Sequence, residues 1–346
     1  MRTRTKPSTA LCNLSKYTYF LLAESKYSGC CRPSKILDEL SNDSINRFLL
    51  RERYEPKDLF NELKPHIELI GGILSGDDTV IEKPYSAPNL TEFIGYFWSG
   101  NQHRPVKGIN LITLYYTERN GKSVPVNYRI YNKQEGKTKN DYFRRETIAE
   151  VLVWGLQPEI VTGDSWYSSK ENLKFLRNQK LGFMMGIARN RQVAITPGKY
   201  TAVKNIEISP EGQVVHLKNF GQVKVFQKQF KNDTERYYIM FLPDIKETED
   251  ITRSDFMTTH SIHWGIECYH RAIKQLCGIK RFMVRSAPAI FTPFFCSIRA
   301  FVQLELMRAK ALIDNWYEIQ RNLSLEVARE FILHYLNQKV GLKAEY

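Results

Sequence analysis

The chain has 346 residues, 42% hydrophobic and 25% charged, which is long and apolar enough for two or three domains with a sizeable core and excludes general disorder. Fifty Lys and Arg against thirty-seven Asp and Glu leave a formal charge of +13, a balance that suits a polyanionic partner such as nucleic acid or an anionic membrane surface. No apolar run approaches the ~20 residues of a membrane span, and YTYFLLA (17–23) is short and lacks a small-residue cleavage site, so it reads as a folded helix.

The six cysteines, at 12, 30, 31, 268, 277 and 296, form no C-x-x-C pair and no regular framework, which points to reduced cytosolic thiols. Residues 1–66 read as helical. In KILDELSNDSINRFLLRERYEPKDLFNEL the apolar spacing is helical and broken by SNDS, where Ser41 or Asp43 can cap the following helix. Two short helices about a tight turn suggest a helix-turn-helix with Ser44–Arg53 as its recognition helix, and a plain helical bundle fits the same pattern.

From about residue 68 the period changes. ELIGGILSGDDTVIEKP predicts a strand carrying an acidic pair. KGINLITLYYTERNGKSVPVNYRIYN predicts two strands joined at Arg119-Asn-Gly-Lys122, Asn-Gly being a strong hairpin signal. KTKNDYFRRETIAEVLVWGL predicts a helix, and EIVTGDSWYSS a short strand running to Asp164. Ser168-Ser-Lys-Glu171 reads as a capping box opening the helix KENLKFLRNQ, and LGFMMGIA as the next strand.

Residues 189–245 lose helical period and read as a mostly β insertion. A helix over 253–277 follows, then a strongly apolar helix kinked or started at Pro293, then an amphipathic helix over 317–338. The order is that of an α/β fold with a mixed sheet. The expected divisions are 1–66, a helical DNA-binding region; 67–188, the first part of a catalytic core; 189–250, the β-rich insertion; 251–312, the rest of the core; and 313–346, a helical C-terminal region.

Three acidic positions stand out. Asp77 lies in or at the end of the first strand, Asp164 ends the fourth, and Glu267 sits mid-helix in HSIHWGIECYHRAIK. Strand ends at a topological switch are where α/β sheets build sites, and converging carboxylates repel unless a cation joins them. Hard divalent ions, Mg²⁺ or Mn²⁺, prefer oxygen ligands, and two of them about 4 Å apart can activate water on a phosphodiester. Each acid has an ordinary reading as well: a turn residue for Asp77, a helix N-terminal charge for Asp164, a solvated helix position for Glu267. Adjacent Asp77 and Asp78 point to opposite faces of a strand, so only one reaches the ions.

GDDTVIEKP, VTGDSWYSS and WGIECYHRAIKQLCGI together resemble the three acidic blocks of bacterial insertion-sequence transposases of the DDE type, over roughly residues 70–285. NDSINRFL resembles their DNA-binding region more weakly. The resemblance implies a ribonuclease H-like core with a β-rich insertion before the Glu helix, and Asp77, Asp164 and Glu267 as catalytic metal ligands for Mg²⁺ or Mn²⁺. It selects Asp77 over Asp78 through an Asp-x-Ser/Thr pattern closed by Thr79.

The resemblance also implies a cytoplasmic, nucleoid-associated enzyme, free of the membrane. It would act as a homodimer on double-stranded DNA, cutting the inverted-repeat ends of a mobile element and joining them to target DNA. A hairpin-ended intermediate is compatible with that branch. In its Tyr-x2-Arg-x3-Glu-x6-Lys signature, Glu267 and Lys274 are in register while the Tyr and Arg positions fall on His260 and His263. Both can donate to phosphate, but neutral His lacks the permanent charge and fork of Arg.

A rival reading is zinc held by a subset such as His263, Glu267 and His270, because four ligands beginning at His260 spread over about 15 Å of helix. DNA contacts are expected from His260, His263, Arg271, Lys274, Arg189, Arg191 and the exposed face of Trp166. Arg144, Arg145, Lys280, Arg281, Arg285 and Lys83 offer further charge, and Tyr167 and Trp264 further rings. A non-catalytic DNA-binding relic or repressor, and a nuclease without strand transfer, are the alternatives.

Overall fold

The computed structural model describes residues 11–24, 29–37, 39–86, 91–100, 102–230, 234–283 and 286–339. The first helices are α1 (Leu14–Ala23), α2 (Cys31–Ile36), α3 (Asn42–Arg51) and α4 (Pro56–Leu63). Strands β1 (Ile73–Glu82), β2 (Gly95–Ser99), β3 (Arg104–Thr117) and β4 (Ser123–Ile130) follow. The next helical stretch is α5 (Lys139–Asp141), a π-helical segment over Tyr142–Ile148, and α6 (Ala149–Val153), where one α-helix was expected. Then come β5 (Ile160–Gly163), α7 (Lys170–Asn178), β6 (Gly182–Ile187) and the two-residue strands β7 (Gln192–Val193) and β8 (Thr201–Ala202). The chain continues with β9 (Gln213–Leu217), β10 (Gly221–Gln229), β11 (Glu235–Phe241), α8 (Arg253–Gln275), α9 (Ala287–Ala309) and α10 (Glu318–Lys339).

Among the described residues the chain forms two compact units, one from 53–271 with 286–291, the other from 11–52, 272–283 and 292–339. α4 joins the first unit, where it packs on β4, and α1 to α3 belong to the second.

In the first unit one sheet runs β2-β3-β1-β5-β6-β11-β10-β9, with β4 also paired to β3. β1 is antiparallel to β3 and parallel to β5, and β5 is parallel to β6. β5 and β6 are buried almost throughout, as central parallel strands covered on both faces are. The β3–β4 hairpin closes at Asn120-Gly121, with Gly121 at φ 86° and Glu118 N–H donating to the Lys122 carbonyl. The β-rich stretch extends the same sheet past β6 through β11. It is packed by Met184, Phe226, Tyr238, Met240, Ile251 and Phe256.

Local signals set most element starts. Ser41 caps α3 by accepting from Ser44 N–H. The cap of α7 is Ser169, accepting from Asn172 N–H, one residue later than the expected box at Ser168. Asp164 begins the 3-10 turn over Ser165–Tyr167, and Ser168 Oγ donates back to the Ser165 carbonyl of that turn, so the cap falls to Ser169 while α7 starts at Lys170 as expected.

In the second unit α3 buries Ile45, Phe48 and Leu49, and Arg281 is buried, its guanidinium donating to the carbonyls of Leu21, Gln275 and Leu276. α9 starts six residues before Pro293, which lies inside it. By length and composition α9 could cross a membrane, contrary to the sequence expectation. However, 72% of its most apolar window is buried in protein, and Phe294, Phe295, Ile298 and Phe301 are core residues. The expected amphipathic α10 leaves Leu325, Val327, Ile332 and Leu333 exposed.

Candidate active site

The site forms where β1 and β5 run side by side beneath α8. Their parallel register pairs Ser75 with Thr162 and Gly76 with Gly163. The buried Thr162 hydroxyl donates to Ser75 Oγ at 2.8 Å and lies 2.8 Å from His263 Nδ1, which marks the α8-facing side of both strands. Two residues beyond Ser75, Asp77 shares that side by strand alternation, and its carboxylate lies 3.6 Å from Nδ1 of His270 on α8. One turn earlier on α8, Glu267 is exposed. A carboxylate oxygen of Asp77, one of Glu267 and a ring nitrogen of His270 all lie within 4.8 Å of one another.

Asp164 follows β5, its Oδ1 accepting from Trp166 N–H at 2.9 Å. Burial raises the Asp77 carboxyl well above its ordinary range, and the charges of Asp164, Asp78 and Glu267 raise it further. Asp164 is raised to about 6 by burial and by Asp78, against the Trp166 and Tyr167 amides and Lys139, which lower it. Four carboxylates thus act on one another, and a bound cation would relieve that repulsion. Two of the three mutually close donors are carboxylate oxygens, which suit a hard divalent ion, and the third is the His270 imidazole nitrogen, which Mn²⁺ or Zn²⁺ also accepts; Asp164 is not in that set.

Asp78 points to the opposite side of β1. Its Oδ2 accepts from Asn110 Nδ2 and from Lys139 Nζ, each at 2.6 Å, and its Oδ1 accepts from the Tyr167 hydroxyl at 2.9 Å. Phe143, from the π-helical segment, stacks on Tyr167 at 4.4 Å. A Cβ at Gly76 would lie 2.2 Å from Phe143 Cε2, so only glycine lets that ring reach β1. Lys139, Tyr167 and Asn110 were absent from the expected site as partners of a carboxylate. No local pattern joins residues 61, 89 and 32 positions away from Asp78.

The other expected residues fall in several places. His263 meets Thr162 and is not among the mutually close metal donors; His270 takes that place. Burial and nearby His260 push His263 down to about 4. His260 is buried between β10, β11 and α8, its pKa lowered to about 4 by burial and by Lys228, Arg236 and Arg253. Both ring nitrogens of His260, expected at the DNA, are engaged inside the protein, one by Lys228 and one by Tyr238.

Arg271 is exposed on α8. Lys274 is half-buried and belongs to the second unit. Arg189 is exposed in the turn after β6, and Arg191 is half-buried, lowered by burial against the opposing pull of Glu171. β6, which leads into that turn, passes close to Asp164, because a Cβ at Gly186 would meet Ser165 N at 3.0 Å. Trp166 and Trp264 are 64% and 54% exposed, whereas Tyr167 is core. Arg144 is taken up by Asp141 and Asn172, Lys83 is buried, and Arg285 lies outside the described residues.

Residues 73–299 match the family model described as a transposase DDE domain. Comparison with curated protein sequences found no match. Twelve chains of known structure match. One, the piggyBac transposase synaptic complex with hairpin DNA, aligns with a TM-score of 0.54 at 13% identity, over 99% of this chain and 77% of that one. At that identity the likeness is one of fold, here ribonuclease H-like with a mixed sheet. The strand order, the acidic cluster and a family match that spans most of the chain lead to one assignment: the protein belongs to the DDE transposase family.

Proposed function

We propose that this transposase cuts DNA at the inverted-repeat ends of its own mobile element and joins those ends to target DNA. The observation that carries the reading is the approach of Asp77, Glu267 and His270 within 4.8 Å of one another, beside Asp164, whose charge acts on Asp77. In this reading Asp77, Asp164 and Glu267 hold Mg²⁺ or Mn²⁺. When bound, such ions lower the pKa of water and neutralise charge at a phosphodiester.

The chain's own residues do the rest. Lys139, Tyr167 and Asn110 hold the Asp78 carboxylate by three hydrogen bonds. Trp166, exposed beside Asp164, offers a face to an unpaired base. Arg189, Arg191 and Arg271 contact phosphates and set register. Lys274 is proposed as a further phosphate contact. Water first frees a 3′-hydroxyl, which then attacks a target phosphodiester in line. No covalent protein–DNA link forms, so no Ser or Tyr nucleophile is required. Joining two ends calls for two copies of the chain on DNA, in the cytoplasm.

A second reading, a DNA-binding relic or repressor, draws on the neutral state of His260 and His263, which leaves two signature positions without charge. Full-length protein incubated with duplex carrying the element's ends and Mg²⁺ or Mn²⁺ separates the two. An active transposase nicks the ends, and Asp164→Asn abolishes nicking but not binding. Salt-sensitive binding with no cleavage in either metal would leave only the relic, and cleavage without joined products would reduce the activity to that of a nuclease.

A further inference from the structure

Lys228 on β10 and Arg236 on β11 are direct cross-strand partners. Both cations sit over one ring, Phe230, at 5.7 and 5.0 Å. Arg253, the first residue of α8, donates to the Gln227 carbonyl at 3.0 Å and lies 5.1 Å over Phe256. Like charges directly opposite in an antiparallel pair destabilise it, and a third cation adds to the cost. Among the described residues, no carboxylate forms an ion pair with any of the three.

His260 holds this arrangement from beneath. Lys228 Nζ lies 3.0 Å from His260 Nδ1, and an ammonium can only donate, so Nδ1 accepts and the proton is on Nε2. Nε2–H then donates to the Tyr238 hydroxyl at 3.2 Å, beside which Arg236 also lies. The imidazole stands edge-on to Tyr238 and against Phe256, at 5.1 and 5.7 Å, and Phe256 stacks on Phe226 at 4.7 Å. A rigid aromatic base therefore holds three cations at the sheet surface that no carboxylate among the described residues pairs, with Arg236 exposed and Lys228 and Arg253 half-buried.

We infer that Lys228, Arg236 and Arg253 form a phosphate-binding cluster for the DNA strand that leads into the acidic centre. It supplies the permanent charge that the imidazoles at 260 and 263 do not. The inference rests on the reading of the chain as a DNA-cutting enzyme. Seven residues separate His260 from Glu267 on one helix, about 10 Å of rise. A cluster at that distance meets backbone phosphates within a few nucleotides of the cut. These contacts are to phosphate and carry no sequence information.

The test measures affinity of the full-length chain for end-containing and unrelated duplexes over a range of salt, without divalent metal, for wild type, Arg236→Gln, Arg253→Gln and Lys218→Gln. Lys218 is exposed at the turn between β9 and β10 and controls for the loss of one charge; thermal melts check that every variant is folded. Each cluster variant is expected to flatten the slope of log K against log salt by about 0.9, equally on both duplexes, while Lys218→Gln leaves the slope unchanged. Cluster variants that match Lys218→Gln overturn the inference and leave the proposed function standing if wild type still nicks the ends. Wild type that neither binds nor nicks DNA removes both.

Discussion

Lys139 Nζ lies 2.6 Å from Asp78 Oδ2, and both side chains are largely buried, with 19% and 15% of their surfaces exposed. It is a cation in direct contact with a carboxylate of the acidic cluster. Removing one partner of a buried pair leaves the other charge without compensation. Lys139→Met is therefore expected to cost about 2 kcal/mol in chemical denaturation without metal, less when Mn²⁺ is present. Equal stability of variant and wild type without metal would show that the Asn110 and Tyr167 hydrogen bonds suffice.

Gly76 is a second point of leverage on the same carboxylate. Phe143 occupies the space a Cβ would need and stacks on Tyr167, which holds Asp78. Gly76→Ala overpacks that contact and is expected to destabilise the fold by about 1–3 kcal/mol. Its metal affinity should fall as well, because Tyr167 must shift. An alanine variant with wild-type melting and Mn²⁺ affinity would show that the Phe143 ring yields freely.

His260 gives a pH dependence whose sign is fixed. Its pKa falls from 6.5 to about 4 on folding, so its contribution is fully present above pH 6.5 and is lost as pH falls towards 4. At about 1.4 kcal/mol per unit the loss amounts to roughly 3 kcal/mol at most. Glutamine can accept from Lys228 and donate to Tyr238 without titrating. The stability advantage of wild type over His260→Gln should therefore shrink between pH 6.5 and 4; a difference independent of pH would contradict the buried neutral imidazole.

What the sequence disclosed and what it hid follow a physical divide. Asp164 at a strand end and Glu267 in a helix were legible because each sits at a local boundary or period, as were the Asn120-Gly121 hairpin and the Ser41 cap. The start of α7 at Lys170 was legible, but its cap is Ser169 and not Ser168, whose hydroxyl closes back on Ser165 in the 3-10 turn that follows Asp164. The π-helical segment was hidden because its apolar residues also satisfy α-helical spacing. Asp78 and its partners, and the engagement of His260 by Lys228 and Tyr238, depend on strands brought together from distant parts of the chain. His270, read from the sequence as part of an alternative zinc set with His263 and Glu267, lies beside Asp77 and within 4.8 Å of a Glu267 oxygen, while His263 is outside that group.

Sharing of a divalent ion by Asp77, Asp164 and Glu267 is tested most directly by anomalous diffraction from crystals of the protein soaked in Mn²⁺. The account predicts a peak bonded to Asp77 and at least one of the other two carboxylates, absent from Asp164→Asn crystals or displaced in them. Manganese bound only elsewhere on the chain, with these three side chains left without metal, would contradict it.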